Sequence, residues 1–76
     1  MANRRASIEI GHRAAKEVWR LCGSCKEARE RLGCGEHKVR EWEQGVAPSA
    51  IYLARLCEMG ADVIWILTGK RGKEIG

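Results

Sequence analysis

Cysteine and histidine are the residues of this chain whose types and spacing could bind a metal ion. Cys22 and Cys25 form a CxxC pair, and Cys34 and His37 form a CxxH pair shortly after it. Two such pairs supply, by number, the ligands of a tetrahedral zinc site. Geometry argues against that site, because a helix through residues 25–32 would place Cys25 and Cys34 about 13 Å apart. A small zinc-binding domain therefore remains a minor alternative, and we expect no metal.

Small apolar thiols are the simpler interpretation of the cysteines. We expect Cys22, Cys34 and Cys57 to be buried and Cys25 to lie at the start of a helix. A disulfide framework is not expected, because nothing in the sequence indicates secretion. No nucleophile stands at a recognisable spacing from a base, and there is no glycine-rich phosphate loop. The sequence thus predicts a protein that is not an enzyme and binds no cofactor.

A second set of polar residues is spaced for contact with another molecule. Its members recur at i, i+1, i+4, i+5 and i+8, which places them on one face of a helix. This polar face consists of Glu36, His37, Arg40, Glu41 and Gln44. Side chains of these types can hydrogen-bond to base edges, so the face could enter the major groove of DNA.

Residues 24–33 have the pattern of a short helix that ends in a turn. Ser24 and Glu27 form a capping box, so the helix is predicted to begin at Ser24, with the Glu27 carboxylate accepting from the Ser24 amide. Ala28 and Leu32 lie on one face at i, i+4. Gly33 is predicted to leave the helix in a left-handed conformation.

The helix that carries the polar face has a single apolar stripe. Val39 and Trp42 form that stripe, three residues apart, and Gly45 ends the helix. Cys34 is predicted to be a small plug beneath the turn. Residues 24–45 therefore have the pattern of a helix-turn-helix.

Two longer segments carry a resemblance to a known family. LGCGEHKVREWEQG resembles the turn and recognition helix of the phage-repressor and Cro family of bacterial regulators. SAIYLARLCEMGADVIWILTGKR is similar to the last two helices of that family's five-helix domain, in the branch that ends in leucine, threonine and glycine. The resemblance covers about residues 8–71. The chain departs from the pattern at Arg29, where a small residue is usual, and at Gly35, where serine or threonine usually caps the recognition helix.

The resemblance implies a role for each helix of the pair. The first helix would cross the DNA backbone, and the second would place the polar face against the bases of an operator. Phosphate contacts are then expected from Ser24, Lys26 and Lys38, with Arg4 and Arg5 helping from an N-terminal arm. The alternative for each of these residues is an ordinary solvated side chain.

Three more helices are predicted around the pair. Residues 1–6 are expected to form a flexible basic arm. Apolar residues recur at helical spacing from Ile10 to Leu21, and this first helix is predicted to begin at Ser7 or, because Gly11 weakens the opening turn, at His12.

The two helices after the pair are short. Ser49 is predicted to cap the fourth helix, and Asp62 is predicted to cap the fifth, which spans residues 63–68. The fourth helix is expected to point three apolar side chains inward, Leu53, Leu56 and Cys57. The chain therefore predicts an all-α, five-helix bundle of the phage-repressor type at residues 7–71, with a tail at residues 72–76.

Composition and charge agree with a small nucleic-acid-binding domain. At 76 residues, with 45% hydrophobic and 32% charged residues, the chain is ordinary for one folded domain. A net charge of +4 suits a polyanion, although residues 24–45 hold five basic and five acidic residues. No apolar run approaches the ~20 residues that a membrane span needs, and no signal peptide is evident. We expect a cytoplasmic, nucleoid-associated protein with no membrane partner.

The predicted fifth helix has more apolar surface than one small domain can cover. VIWIL is apolar on every side, and the resembling repressors dimerise through their last helix. A homodimer is thus expected, with an interface formed by Val63, Ile64, Trp65 and Leu67. The alternative is that single apolar side chains are simply exposed.

The sequence as a whole predicts a sequence-specific DNA-binding transcriptional regulator similar to a phage or prophage repressor. The rival is a protein-interaction module that keeps the fold without affinity for DNA. Glu36 and Glu41 motivate this rival, because carboxylates bring no attraction to phosphate.

Overall fold

The computed structural model describes residues 4–33 and 36–71, apart from the side chain of Glu36. These residues form five α-helices and no strand: α1 (Arg4–Leu21), α2 (Cys25–Leu32), α3 (Glu36–Glu43), α4 (Ala50–Glu58) and α5 (Val63–Thr68). The all-α, five-helix prediction is confirmed. None of the described helices is long and apolar enough to cross a membrane. The predictions for Cys34, Gly35 and the tail at residues 72–76 fall outside the described residues.

Helix α1 begins earlier than the sequence predicted. It starts at Arg4, so the prediction that residues 4–6 belong to a flexible arm is wrong, as are the predicted starts at Ser7 and His12. Arginine and alanine are good helix formers, and Arg5 adds an i, i+4 ion pair with Glu9 at 3.3 Å. Residues 1–3 lie outside the described residues.

Gly11 lies where α1 closely approaches the end of α3. Gly11 is buried, and a Cβ atom at this position would lie 2.6 Å from the Val46 carbonyl oxygen and 2.7 Å from that of Trp42. One turn earlier, the Ser7 hydroxyl donates to the Gly45 carbonyl oxygen at 3.3 Å. The glycine therefore serves a close helix contact, and the helix continues through it.

The core draws side chains from every helix. Among the described residues, ten apolar ones are buried: Ala14, Ala15, Val18, Cys22, Ala28, Leu32, Val39, Trp42, Leu56 and Ile66. The Trp42 ring meets the Tyr52 ring edge to face, with centroids 5.7 Å apart. Burial of Cys57 was predicted and is wrong, because Leu56 occupies the inward direction and the next residue is turned about 100° away from it.

The caps of the last two helices were predicted with different success. Asp62 Oδ1 accepts from the Trp65 amide at 2.9 Å, and Gly69 ends α5 with a φ of 79°, as the sequence indicated. Ser49 occupies the cap position of α4, but its side chain accepts no capping hydrogen bond. The fifth helix is therefore capped at both ends by the predicted residues.

In the described part of the chain, Arg31, Arg55 and Arg13 donate to carbonyl oxygens at the last turns of helices. The bonds run from Arg31 to the Leu21 oxygen at 3.0 Å, from Arg55 to the Leu32 oxygen at 2.7 Å and from Arg13 to the Ile66 oxygen at 2.9 Å. Carbonyls at a helix C-terminus have no partner within the helix and carry partial negative charge, so a guanidinium stabilises them. Some of the basic residues of this chain therefore stabilise the fold.

A buried carboxylate joins α1 to the α4–α5 connection. Glu17 is 1% exposed and receives two hydrogen bonds from Arg20, at 2.8 and 2.9 Å, and one from the Asp62 amide at 2.8 Å. The Arg71 guanidinium lies 3.2 Å from Asp62 and 4.0 Å from Glu17, and it also stacks over the Trp65 ring. The hydrogen bonds from Arg20 hold the pKa of Glu17 below its ordinary value, and the Trp65 amide does the same for the pKa of Asp62.

Candidate nucleic-acid interface

Helix α2 is fixed at both ends by the residues that the sequence indicated. The Ser24 hydroxyl accepts from the Glu27 amide at 3.2 Å, and the helix itself begins at Cys25. The Glu27 carboxylate accepts from the Gly23 amide at 3.4 Å, one residue before the partner predicted for it. Gly33 leaves the helix with a φ of 70°, in the left-handed region that glycine tolerates. The first residues of α2 are thus held in a defined position at the surface.

Helix α3 is anchored on one side and exposed on the other. Val39 and Trp42 are each 1% exposed, as their spacing predicted. His37 and Arg40 are exposed on the helix surface away from them, and Gln44 is exposed just past the end of the helix. The core therefore holds the backbone of α3 in place while these polar side chains extend into solvent.

Glu41, one of the polar-face residues, pairs with Lys38. Lys38 Nζ lies 3.5 Å from a Glu41 carboxylate oxygen and 5.9 Å from the centre of the Tyr52 ring in α4. Both side chains are partly exposed. Lys38, predicted as a phosphate contact, thus belongs to the side of α3 that meets α4, where its charge is partly compensated.

The other predicted phosphate contacts lie at two places. Lys26 is exposed in the first turn of α2, and Ser24 next to it is exposed while serving as the helix cap. Arg4 and Arg5 are exposed in the first turn of α1, the end of that helix that packs against Gly45. The structure therefore separates the lysine at the start of α2 from the arginine pair near the end of α3.

A cleft beside the polar face contains two residues that the sequence analysis missed. Its volume is about 360 Å³, and its lining comes from α1, α2 and the end of α3: Trp19, Cys25, Arg40, Glu43 and Gln44. The Trp19 indole N–H donates to a Glu43 carboxylate oxygen at 2.9 Å. Trp19 falls outside the apolar stripe of α1, and Glu43 follows Arg40 at i+3. These two sequence signals could have identified them.

The thiols differ in their surroundings. Cys22 is buried, which raises the pKa of its thiol, whereas Cys25 is exposed. Among residues 4–33 and 36–71, no three side chains of histidine, cysteine, aspartate or glutamate are grouped to hold a metal ion. Cys34, the third thiol of the conceivable zinc site, lies outside the described residues.

The outer surface of α5 is apolar. Ile64 is 51% exposed and Leu67 is 45% exposed, whereas Ile66 is fully buried in the core. Val63 and Trp65 are partly buried, and the Arg71 guanidinium covers a face of the Trp65 ring at 4.1 Å. Of the predicted interface residues, Ile64 and Leu67 thus offer the most apolar surface.

Comparison with known proteins gives no match to any family model, curated protein or solved structure. The likeness to phage repressors therefore rests on the sequence motifs alone.

Proposed function

We propose that this chain is a sequence-specific DNA-binding transcriptional regulator of the repressor type, in which α2 and α3 act as a helix-turn-helix. The observation that carries the proposal is the anchoring of α3 by Val39 and Trp42, with His37, Arg40 and Gln44 exposed away from the core. A recognition helix needs this combination, because base edges are read by side chains that are held at fixed positions.

Individual side chains on α3 and just past its end suit particular base edges. Arg40 can donate two hydrogen bonds to guanine, and Gln44 can pair with adenine. Glu41 can accept from the amino group of cytosine, although it also forms an ion pair with Lys38. The proposed role is therefore regulatory rather than enzymatic. The proposed location is the cytoplasm, on the nucleoid.

The proposal also requires cations for the DNA backbone. Arg13, Arg31 and Arg55 already donate to helix carbonyls, and Arg20 and Arg71 already contact carboxylates. Other exposed cations on α1 and α2 are Arg4, Arg5, Lys16, Lys26 and Arg29. Lys26 stands at the start of α2, where a helix that crosses the backbone meets phosphate.

Arg40 and Lys26 are expected to respond differently to replacement by alanine. Arg40→Ala should weaken binding to the preferred site by roughly 1 to 3 kcal/mol per half-site and reduce the preference over random DNA. Lys26→Ala should weaken binding to every sequence alike and lower the salt slope by about one unit. The preferred site would first be selected from a random duplex library, and affinities would then be measured by fluorescence anisotropy at several salt concentrations.

Two outcomes would count against this assignment. Equal, sequence-independent losses for both variants would make Arg40 a phosphate contact. Absence of DNA binding by the unmodified protein at low salt would favour the protein-interaction module. The carboxylates Glu41 and Glu43 on α3 would suit a protein partner better than a polyanion.

We further propose that the protein binds its operator as a homodimer joined through α5. Ile64→Lys should shift the protein toward monomer in sedimentation velocity, because a charge at the centre of an apolar interface must be desolvated. Weaker binding to a paired half-site should accompany the shift, since two linked domains lose their combined contacts.

Ile51→Lys is the matched control for the dimer. Ile51 is 66% exposed on α4, so the same substitution there adds the same charge at an exposed isoleucine outside the proposed interface. The two variants should therefore differ in the mass of the sedimenting species but not in helix content. An unmodified protein that is monomeric at high concentration, both free and on DNA, would rule out the dimer.

A further inference from the structure

The hydrogen bond between Trp19 and Glu43 stands beside the surface proposed to meet DNA. The indole N–H donates to a Glu43 carboxylate oxygen over 2.9 Å, and both residues line the cleft with Arg40 and Gln44. Trp19 is 38% exposed, in contrast to the fully buried Trp42. An indole nitrogen is only a donor, so its N–H can serve any acceptor that reaches the cleft.

A carboxylate and a DNA phosphate compete for the same donors. Both present anionic oxygens, and hydrogen bonds to such oxygens are among the strongest in proteins. Glu43 is exposed and belongs to α3, so it would accompany that helix to the DNA. Its negative charge would then oppose any phosphate close to the cleft.

We propose that Glu43 acts as an internal substitute for a DNA backbone phosphate. Its carboxylate holds the indole N–H of Trp19, and Trp19 is itself a phosphate-binding residue that the carboxylate keeps occupied. The contact is autoinhibitory, because a phosphate must displace Glu43 before it can accept from Trp19. This inference rests on the proposed DNA-binding function and adds to it a residue of α1 that the sequence motifs do not include.

Removal of the carboxylate should strengthen DNA binding. Glu43→Ala should bind both the selected duplex and a random duplex roughly three- to tenfold more tightly at low salt, because the repulsion is lost and the indole N–H is released. Glu58→Ala is the matched control. Glu58 is also exposed, close to the other end of α2, and its loss changes the net charge by the same amount. We expect less than a twofold gain for this control.

A second substitution tests the part played by Trp19. Trp19→Phe removes the N–H but keeps an aromatic ring, and in the Glu43→Ala background it should remove the part of the gain that comes from the released indole N–H. Circular dichroism melting of each full-length variant checks that the fold is kept.

The outcomes separate this inference from the function on which it rests. Binding by Glu43→Ala that is no tighter than binding by Glu58→Ala overturns the inference and leaves the DNA-binding function intact. A gain that Trp19→Phe does not diminish also overturns it. No binding by the unmodified protein or by Glu43→Ala at low salt overturns both.

Discussion

Gly11→Ala is expected to lower the free energy of unfolding by roughly 3 kcal/mol. Alanine is normally better than glycine inside a helix, by about 1 kcal/mol, so intrinsic propensity alone predicts the opposite sign. The added methyl group would lie 2.6 Å from the Val46 carbonyl oxygen and 2.7 Å from the Trp42 carbonyl oxygen. Both atoms belong to the backbone and cannot rotate away, so α1 and the end of α3 must separate.

Gly23→Ala is the matched control for the close contact. A Cβ atom at Gly23 has no heavy atom within 4 Å, and the backbone there does not have a positive φ. The control should change the unfolding free energy by less than about 0.5 kcal/mol. Urea denaturation followed by circular dichroism gives both values. If the two variants are equally stable, α1 and α3 do not approach each other as closely as described.

Glu17→Ala is expected to cost roughly 3 kcal/mol of stability. The substitution removes the acceptor for Arg20 and for the Asp62 amide, and it leaves a gap beneath the connection between α4 and α5. Glu9→Ala on the same helix is the control, because Glu9 is half-exposed, so its ion pairs with Arg5 and Arg13 are open to solvent at the carboxylate. That control should cost less than about 1 kcal/mol. Chemical denaturation of both variants at neutral pH measures the difference.

The Glu17 carboxylate makes the free energy of unfolding depend on pH in a defined direction. Glu17 and Asp62 have folded-state pKa values below their ordinary values of 4.5 and 3.8. Their contribution is therefore complete above about pH 5, where both groups are ionised even in the unfolded chain, and is lost as pH falls through the folded-state values. The acid side of the stability curve should be less steep for Glu17→Ala than for Glu9→Ala. Parallel curves would mean that Glu17 is not preferentially ionised in the folded protein.

The helices and most of their ends could be predicted because their signals are local. Ser24, Gly33, Asp62 and Gly69 each act on a backbone group within a few residues, and the 3.6-residue period of apolar side chains needs no partner to be recognised. The early start of α1 was missed because residues 1–6 were assigned to a flexible basic arm, and the alternative start at His12 was wrong because Gly11 was judged by its propensity alone. The close packing of Gly11 is visible only when α3 is in place.

The features that could not be predicted all join distant parts of the chain. The bond from the Asp62 amide to Glu17 spans 45 residues, and the bond from Trp19 to Glu43 spans 24. The sequence of an amphipathic helix does not indicate that one of its glutamates is buried. Nor does it indicate which acceptor a tryptophan outside the apolar stripe will bind. Tertiary packing decides both, so the cleft beside the polar face became apparent only from the fold.

The three arginines that donate to helix carbonyls close loops of very different length. Their bonds span 10 residues for Arg31, 23 for Arg55 and 53 for Arg13. The entropy of loop closure ranks them in that order, with about 1.5 kcal/mol between the shortest and the longest. Helix α5 has only six residues, too few to be stable alone, and it receives the most distant of these bonds. The helix proposed to join two copies is thus ordered by a part of the chain far from it in sequence, and a partner that bound it would share the entropic cost of keeping it folded.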